Sequence, residues 1–256
     1  MKLLTLARDL KRRRARERQG LFVAEGVRAV EELLRSPLVL RGALVTEELG
    51  AAPRGAALRD GLAAAARATR ADVAVVTPAE FASAADTESP QGVLAIAEVP
   101  ARTLGALAPA ASVRILVLDG VQDPGNVGTI LRTAAAFGAA ATLAMPGTVD
   151  LWNAKVVRSA MGAHFRHPAL AATWEELDRF LEGHSIVLWG TDAGGTPLDA
   201  AAPPARLALA LGNEGSGLSA AARARAALDV AIPLAADVES LNVAVSAGIF
   251  LYQLRP

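Results

Sequence analysis

Two periods of apolar residues alternate along the chain. In the first hundred residues, positions 5–18 carry apolar residues at helical spacing with a basic opposite face. Leu21-Phe22-Val23-Ala24 reads as a short strand, and Gly26 turns it into a helix over 27–35. Ala43-Leu44-Val45 is a second strand, followed by a helix over 56–68. Val73-Ala74-Val75-Val76 is a third, and Thr77-Pro78 then supplies an N-cap with proline at the first helical position. A fourth strand covers 92–97. Strands alternating with helices over this length predict a small α/β domain, residues 1–98.

Residues 99–112 are poor in charge and rich in alanine and hold Pro100, Gly105 and Pro109, which predicts a linker. A second domain, 113–256, opens on Val113-Arg114-Ile115-Leu116-Val117-Leu118, a nearly all-apolar run suited to the middle of a parallel sheet. Further strands are expected at 141–144, 185–189, 207–211 and 230–232. Helices are expected at 126–137, 153–161, 175–181, 219–227 and 241–254. Three times an apolar run meets a polar, Gly- or Asn-bearing turn and then a helix start: after Leu118, after Leu211 and after Ile232. Such loops converge at one end of a parallel sheet, where ligands of α/β proteins sit.

Composition narrows the chemistry. The 52% apolar fraction is ample for a core, and the absence of cysteine excludes disulfides, thiolate metal sites and a cysteine nucleophile. No apolar run approaches the roughly 18 residues a membrane span needs. Lys11-Arg12-Arg13-Arg14 interrupts any signal-peptide core, so a soluble cytoplasmic protein is expected. The formal net charge is zero but unevenly spread. Residues 1–18 hold eight basic and two acidic side chains, whereas residues 113–256 hold ten basic and thirteen acidic. A concentrated basic end points to a polyanion. His164 and His167 lie three apart, but no cysteine or clustered carboxylate completes a metal site there.

The loops hold the candidate chemistry. Gly125, Asn126 and Gly128 open a helix whose first N–H groups could receive an anion or a carbonyl oxygen. Asn126 and Arg132 are six apart and so lie on different helical faces. By spacing alone they serve equally as a local cap and a surface arginine. Gly212-Asn213-Glu214-Gly215-Ser216-Gly217 follows a clear strand, but lacks the G-x-G-x-x-G spacing and comes late in the domain, which disfavours a dinucleotide-binding oxidoreductase. Ser240 and Asn242 bracket Leu241 at a helix start, where plain capping is the alternative to a site.

Together these stretches resemble a known family. Asp123-Pro124-Gly125-Asn126-Val127-Gly128 with Arg132, then Gly212-Asn213-Glu214-Gly215, then Ile232-Pro233-Leu234 and Ser240-Leu241-Asn242-Val243 resemble the three motifs of the SpoU (TrmH-type) RNA ribose 2′-O-methyltransferases of the SPOUT class, in that family's order. Gly20–Gly26 and Thr87–Leu94 resemble the two ends of the family's ribosomal-protein-like RNA-binding domain. The resemblance implies a parallel-sheet α/β domain with a deep trefoil knot, behind a small N-terminal α/β RNA-binding domain. It implies S-adenosylmethionine as cofactor, lined by Thr191, Gly212, Ile232 and Leu241, and catalytic positions Asn126, Arg132, Glu214, Ser240 and Asn242, with no metal. The implied partners are RNA, ribosomal in preference to transfer RNA and not DNA, and a second copy of the chain. In such a homodimer the apolar last helix, with Val243, Val245, Ile249 and Phe250, would suit a buried interface, as it would equally suit an intrachain core. An RNA-binding ribosome-assembly protein that has lost activity is the other reading.

Overall fold

The computed structural model describes residues 2–235 and 237–255. The chain forms two compact units, Met1–Ala101 with Trp152–Arg166, and Arg102–Leu151 with His167–Pro256. The first boundary falls inside the expected linker. The second feature departs from a contiguous division, because residues 152–166 belong to the first unit. Their aromatic side chains explain this: Trp152 meets Phe22 at 4.4 Å between ring centroids, and Phe165 lies 5.8 Å from the same ring. Arg166 adds a hydrogen bond to Glu32 at 3.0 Å.

In the first unit, strands β1 (Leu21–Glu25), β2 (Leu40–Val45), β3 (Asp72–Val75) and β4 (Val93–Glu98) form a sheet of order β1-β4-β2-β3. β4 runs antiparallel to both β1 and β2, and β3 is parallel to β2. The expected helix over 5–18 is two helices, α1 (Lys2–Asp9) and α2 (Arg13–Gln19). Asp9 draws Arg12, Arg18 and Gln19 together at the break. The buried Arg16 donates to the carbonyls of Leu10 and Lys11, both at 2.8 Å, and so closes the turn. Leu4, Ala7 and Leu10 join a core with Phe81, Leu94 and Ile96. Helices α3 (Val27–Leu34), α4 (Pro53–Thr69) and α5 (Pro78–Ala84) complete the unit. Thr77 caps α5 in a capping box with Glu80, as its position before Pro78 predicts. The helix α7 (Ala154–Ser159) lies in the segment contributed from beyond the linker.

The second unit is built on six parallel strands in the order β10-β8-β9-β5-β6-β7. These are β5 (Val113–Asp119), β6 (Ala141–Ala144), β7 (Ala169–Ala171), β8 (Val187–Pro197), β9 (Arg206–Gly212) and β10 (Leu228–Ala231). β7, only three residues long, has no period to reveal it in the sequence, and β8 runs well beyond the expected 185–189. Helices α6 (Pro124–Ala136), α8 (Trp174–Gly183), α9 (Ala220–Arg223) and α10 (Val243–Leu254) belong to this unit. α9 is much shorter than the expected 219–227. β5 is buried along its whole length, as its apolar run predicts.

The last helix starts after the edge strand β10 yet packs on α6, which follows β5 three places away in the sheet. Gly248 faces the Thr133 methyl, where an added Cβ would lie 3.7 Å away, so the two helices approach closely. Arg114, buried in β5, donates to the carbonyl of Leu254 at the end of α10. It also donates to the carbonyls of Val113, Pro204 and Ala205. A guanidinium at a helix C-terminus meets both the unsatisfied carbonyls and the dipole there. The two faces of α10 differ: Val243 and Phe250 are buried within the unit, whereas Val245, Ile249 and Tyr252 are exposed on one stripe.

Candidate active site

Because every strand pair is parallel, β5, β9 and β10 deliver their following loops to the same edge of the sheet, with Asp119 and Gly212 directly in register. The loop after β9 is held by its own residues. Asn213 accepts from the backbone N–H of Gly215 (2.9 Å) and Ser216 (3.1 Å) and donates to the Gly120 carbonyl at 2.9 Å. Asn213 and Gly217 form a two-way backbone bridge that brings the loop back on itself. Gly212 sits where this return passes: a Cβ there would lie 2.3 Å from the Gly217 carbonyl carbon and 2.5 Å from the Leu218 nitrogen. Only glycine allows that approach. Asp119, buried at the end of β5, accepts from the Ser219 N–H at 2.6 Å and ties the far side of the loop to the sheet.

The turn leaves Glu214 exposed and directed at α6. Asn126, in the first turn of α6, donates to the Glu214 carboxylate at 3.0 Å. Asn242, the N-cap of α10, donates to the Asn126 side-chain oxygen, also at 3.0 Å. The Asn242 oxygen in turn accepts from the N–H groups of Ala244 and Val245. One residue from each of the three loops thus stands in a single chain, Asn242 to Asn126 to Glu214. For Asn242 the two readings of the sequence are both realised, since one side chain caps a helix with its oxygen and reaches Asn126 with its nitrogen.

The start of α6 differs from expectation. The Asn126 N–H does not stand open to an anion, because the Asp123 carboxylate accepts from it at 2.8 Å. A negative cap already occupies that position. Arg132 lies on α6 about 9 Å further along the axis than Asn126 and about 120° away in direction. It is exposed and, among the described residues, makes no hydrogen bond or ion pair. Ser240 is also exposed and outside the three-residue chain. The structure therefore brings together Asn126, Glu214 and Asn242 and leaves Arg132 and Ser240 apart from them.

Thr191, Gly212, Ile232 and Leu241 are each half-buried. The Thr191 hydroxyl donates to the Ala210 carbonyl at 2.9 Å, so its proton serves the sheet. Thr191 lies within β8, Gly212 ends β9, Ile232 follows β10 and Leu241 precedes the N-cap of α10. The side chains that fix the loops, Asp119, Asn213 and Asp123, were not singled out by the sequence reading. The one local signal for Asp119 is a lone carboxylate at the end of a nearly apolar strand, ahead of a glycine.

Comparison with known proteins gives the arrangement a context. The model of the SpoU rRNA Methylase family matches residues 114–252, and that of the MRM3-like substrate binding domain matches residues 5–95. The chain is 33% identical over 249 residues to the 23S rRNA (guanosine(2553)-2′-O)-methyltransferase RlmP of Bacillus subtilis, covering 97% of this chain and 94% of that one. Among solved structures, the AdoMet-bound rRNA methyltransferase from Sinorhizobium meliloti superposes with a TM-score of 0.88 at 27% identity, covering 99% of this chain and 94% of that one. The SpoU methyltransferase AviRb from Streptomyces viridochromogenes, in complex with AdoMet, gives 0.89 at 27% identity, covering 99% and 97%. The motifs, the parallel sheet that brings them to one edge and the match over more than half of the chain agree: this protein belongs to the SpoU rRNA methylase family.

Proposed function

We propose that the protein is an S-adenosylmethionine-dependent RNA ribose 2′-O-methyltransferase acting on 23S ribosomal RNA. The observation that carries the reading is the chain from Asn242 through Asn126 to Glu214, which joins all three motif loops. The relative matched along nearly its whole length is named for 2′-O-methylation of 23S rRNA, which favours ribosomal over transfer RNA.

Thr191, Gly212, Ile232 and Leu241 would hold the cofactor, the two aliphatic residues against adenine and Gly212 through close backbone approach. Bound S-adenosylmethionine would supply an electrophilic methyl group and leave as a neutral thioether. The protein's task is then to hold the ribose hydroxyl in line and ease loss of its proton. Arg132, permanently charged, serves this by fixing the neighbouring phosphate and lowering the hydroxyl's pKa electrostatically. Asn126, Glu214, Ser240 and Asn242 hold the loops and the substrate.

The active unit is a homodimer, with Val245, Ile249 and Tyr252 of α10 covered by a second copy. Such a stripe, at i, i+4 and i+7, is costly to leave in water. Arg132, outside the Asn126 chain of its own subunit, would then serve the partner's substrate. The return of α10 from the edge strand to α6 supports a trefoil knot in the second unit. The N-terminal unit, residues 1–98 by the sequence reading, would bind folded RNA by shape and phosphate. No helix among the described residues is long and apolar enough to cross a membrane, and we place the protein in the cytoplasm with its ribosomal substrate.

Isothermal calorimetry with S-adenosylmethionine, together with 2′-O-methyl mapping of 23S and transfer RNA from a deletion strain, tests the proposal. Heat of cofactor binding and one lost 23S methylation are expected. A pure RNA-binding or assembly protein would show neither, and a transfer RNA enzyme would leave 23S rRNA unchanged.

A further inference from the structure

Outside the motif residues, one arginine touches three of the segments that carry the cofactor positions. Arg223, on the short helix α9, donates to the Asp192 carboxylate at 2.7 Å. Its Nε donates to the Leu218 carbonyl at 3.3 Å. Its remaining terminal nitrogen lies 3.8 Å from the Asp229 carboxylate. Asp192 follows Thr191, Leu218 is the residue against which Gly212 packs, and Asp229 stands in β10 three residues before Ile232.

The carboxylates are themselves held in place. Asp192 accepts the Gly194 N–H at 2.9 Å, which closes a tight turn directly after Thr191. Asp229 is wedged against the β8 segment: a Cβ on Gly190 would lie 2.0 Å from its Oδ1, and one on Gly195 would lie 2.6 Å from its carbonyl oxygen. Two glycines thus let β10 press into the bend of β8, and they leave Asp229 Oδ1 buried without a hydrogen-bond partner among the described residues. Both carboxylates lie within ion-pair reach of one guanidinium, at 2.7 Å for Asp192 and 3.8 Å for Asp229. Among the described residues Arg223 is the cation that faces both.

We infer that Arg223 is a positioning residue: it clasps the β8 bend, the loop after β9 and strand β10 into the spacing that S-adenosylmethionine requires. This rests on the reading of the site given above. Arg223 does not reach the reacting atoms. It acts through the backbone on either side of Thr191, Gly212 and Ile232. The pairs are part-exposed, so their weight in global stability is small. Their effect is on loop geometry, and therefore on cofactor affinity.

The test is calorimetric titration of S-adenosylmethionine into full-length wild type, Arg223→Gln and Arg223→Lys, with RNA affinity and thermal midpoint measured in parallel. Arg223→Gln is expected to weaken cofactor binding by about fivefold to tenfold, leave RNA affinity within about twofold and shift the midpoint little. Arg223→Lys recovers part of the loss. Added salt weakens cofactor binding by the wild type but not by Arg223→Gln, because the clasp is made of part-exposed charges. In the cofactor-free protein, amide exchange at 191–196 and 213–218 is faster in Arg223→Gln. Cofactor affinity unchanged in Arg223→Gln, or cofactor and RNA affinity falling together with the midpoint, overturns the clasp alone. Wild type that binds no S-adenosylmethionine overturns the functional reading first, and the clasp with it.

Discussion

The side-chain nitrogen of Asn242 donates to the side-chain oxygen of Asn126 at 3.0 Å, across 116 residues of sequence. Asn126 passes the link on to Glu214, 88 residues away. An asparagine is needed in the middle because it must accept on one side and donate on the other. Aspartate there would accept from Asn242 but repel Glu214. Asn126→Asp is therefore expected to lower methyl transfer by about 10- to 100-fold, corresponding to about 1–3 kcal/mol for an unmade hydrogen bond. Asn126→Asp with Glu214→Gln should recover part of it, since glutamine can donate to the new carboxylate. Single-turnover methylation measures both; failure of the pair to recover would show that Glu214 acts on the substrate rather than on Asn126.

Arg132 stands apart from that chain, exposed on α6. If it fixes phosphate and hydroxyl, Arg132→Ala should reduce turnover by at least about 100-fold while cofactor affinity stays within about twofold. Lysine should not restore full rate, because it lacks the planar fork. Mixing Arg132→Ala subunits with subunits carrying Asn126→Ala checks the shared site: partial activity in the mixture is expected if each site borrows Arg132 from its partner, and none if it does not.

Arg114 is buried with donors to four carbonyls, including that of Leu254. Arg114→Met keeps most of the volume and strands those oxygens. A loss of about 3 kcal/mol in chemical denaturation is expected. Amide exchange should rise first in α10, whose last turn the guanidinium holds.

His167 is buried, with its Nε2 2.8 Å from the Thr142 hydroxyl. Burial, helped by the nearby Arg102 charge, pushes its pKa from 6.5 down to about 4. The unfolded chain therefore binds more protons than the folded one between those values, and stability rises with pH through that window. It is fully present above about pH 6.5 and is lost as pH falls towards 4, by about 3 kcal/mol for this group at most. Thermal midpoints from pH 7 to 4.5 should fall more steeply in wild type than in His167→Gln. Equal slopes would assign the acid sensitivity to other groups.

At the basic amino terminus the two helices separate charge by duty. Arg16 is buried on two carbonyls, whereas Arg14 is exposed. Arg14→Glu should weaken RNA binding and lower the log–log salt slope by about one for each phosphate that is no longer neutralised. Arg16→Ala should instead lower stability. Deleting residues 1–18 confounds the two, because Leu4, Ala7 and Leu10 would leave the core with the arginines.

Much of this molecule is written locally. The nearly all-apolar run at 113–118 predicts an inner strand of a parallel sheet, and β5 is buried throughout. Thr77 before Pro78 announces a helix start, and the Gly- and Asn-bearing turns after three strands mark the loops that meet through Asn126, Glu214 and Asn242. Such features depend on a few neighbouring residues, whose period and backbone preferences hold in any context. Other features needed the chain's path. The amino-terminal helix breaks because Asp9 and Arg16 collect partners around the turn. Asp123 caps the Asn126 N–H, so the local cap that the sequence offered beside an anion site is the one realised there. Residues 152–166 join the first unit because Phe22 supplies the aromatic surface for Trp152 and Phe165. One stripe of α10 is buried and another exposed because α6 covers only one side. Asn126 became a link between loops only when the sheet order set β9 beside β5 and α10 returned to α6. Hydrophobic period fixes which elements form, but pairing across a hundred residues is decided by packing, and no window of sequence contains both partners.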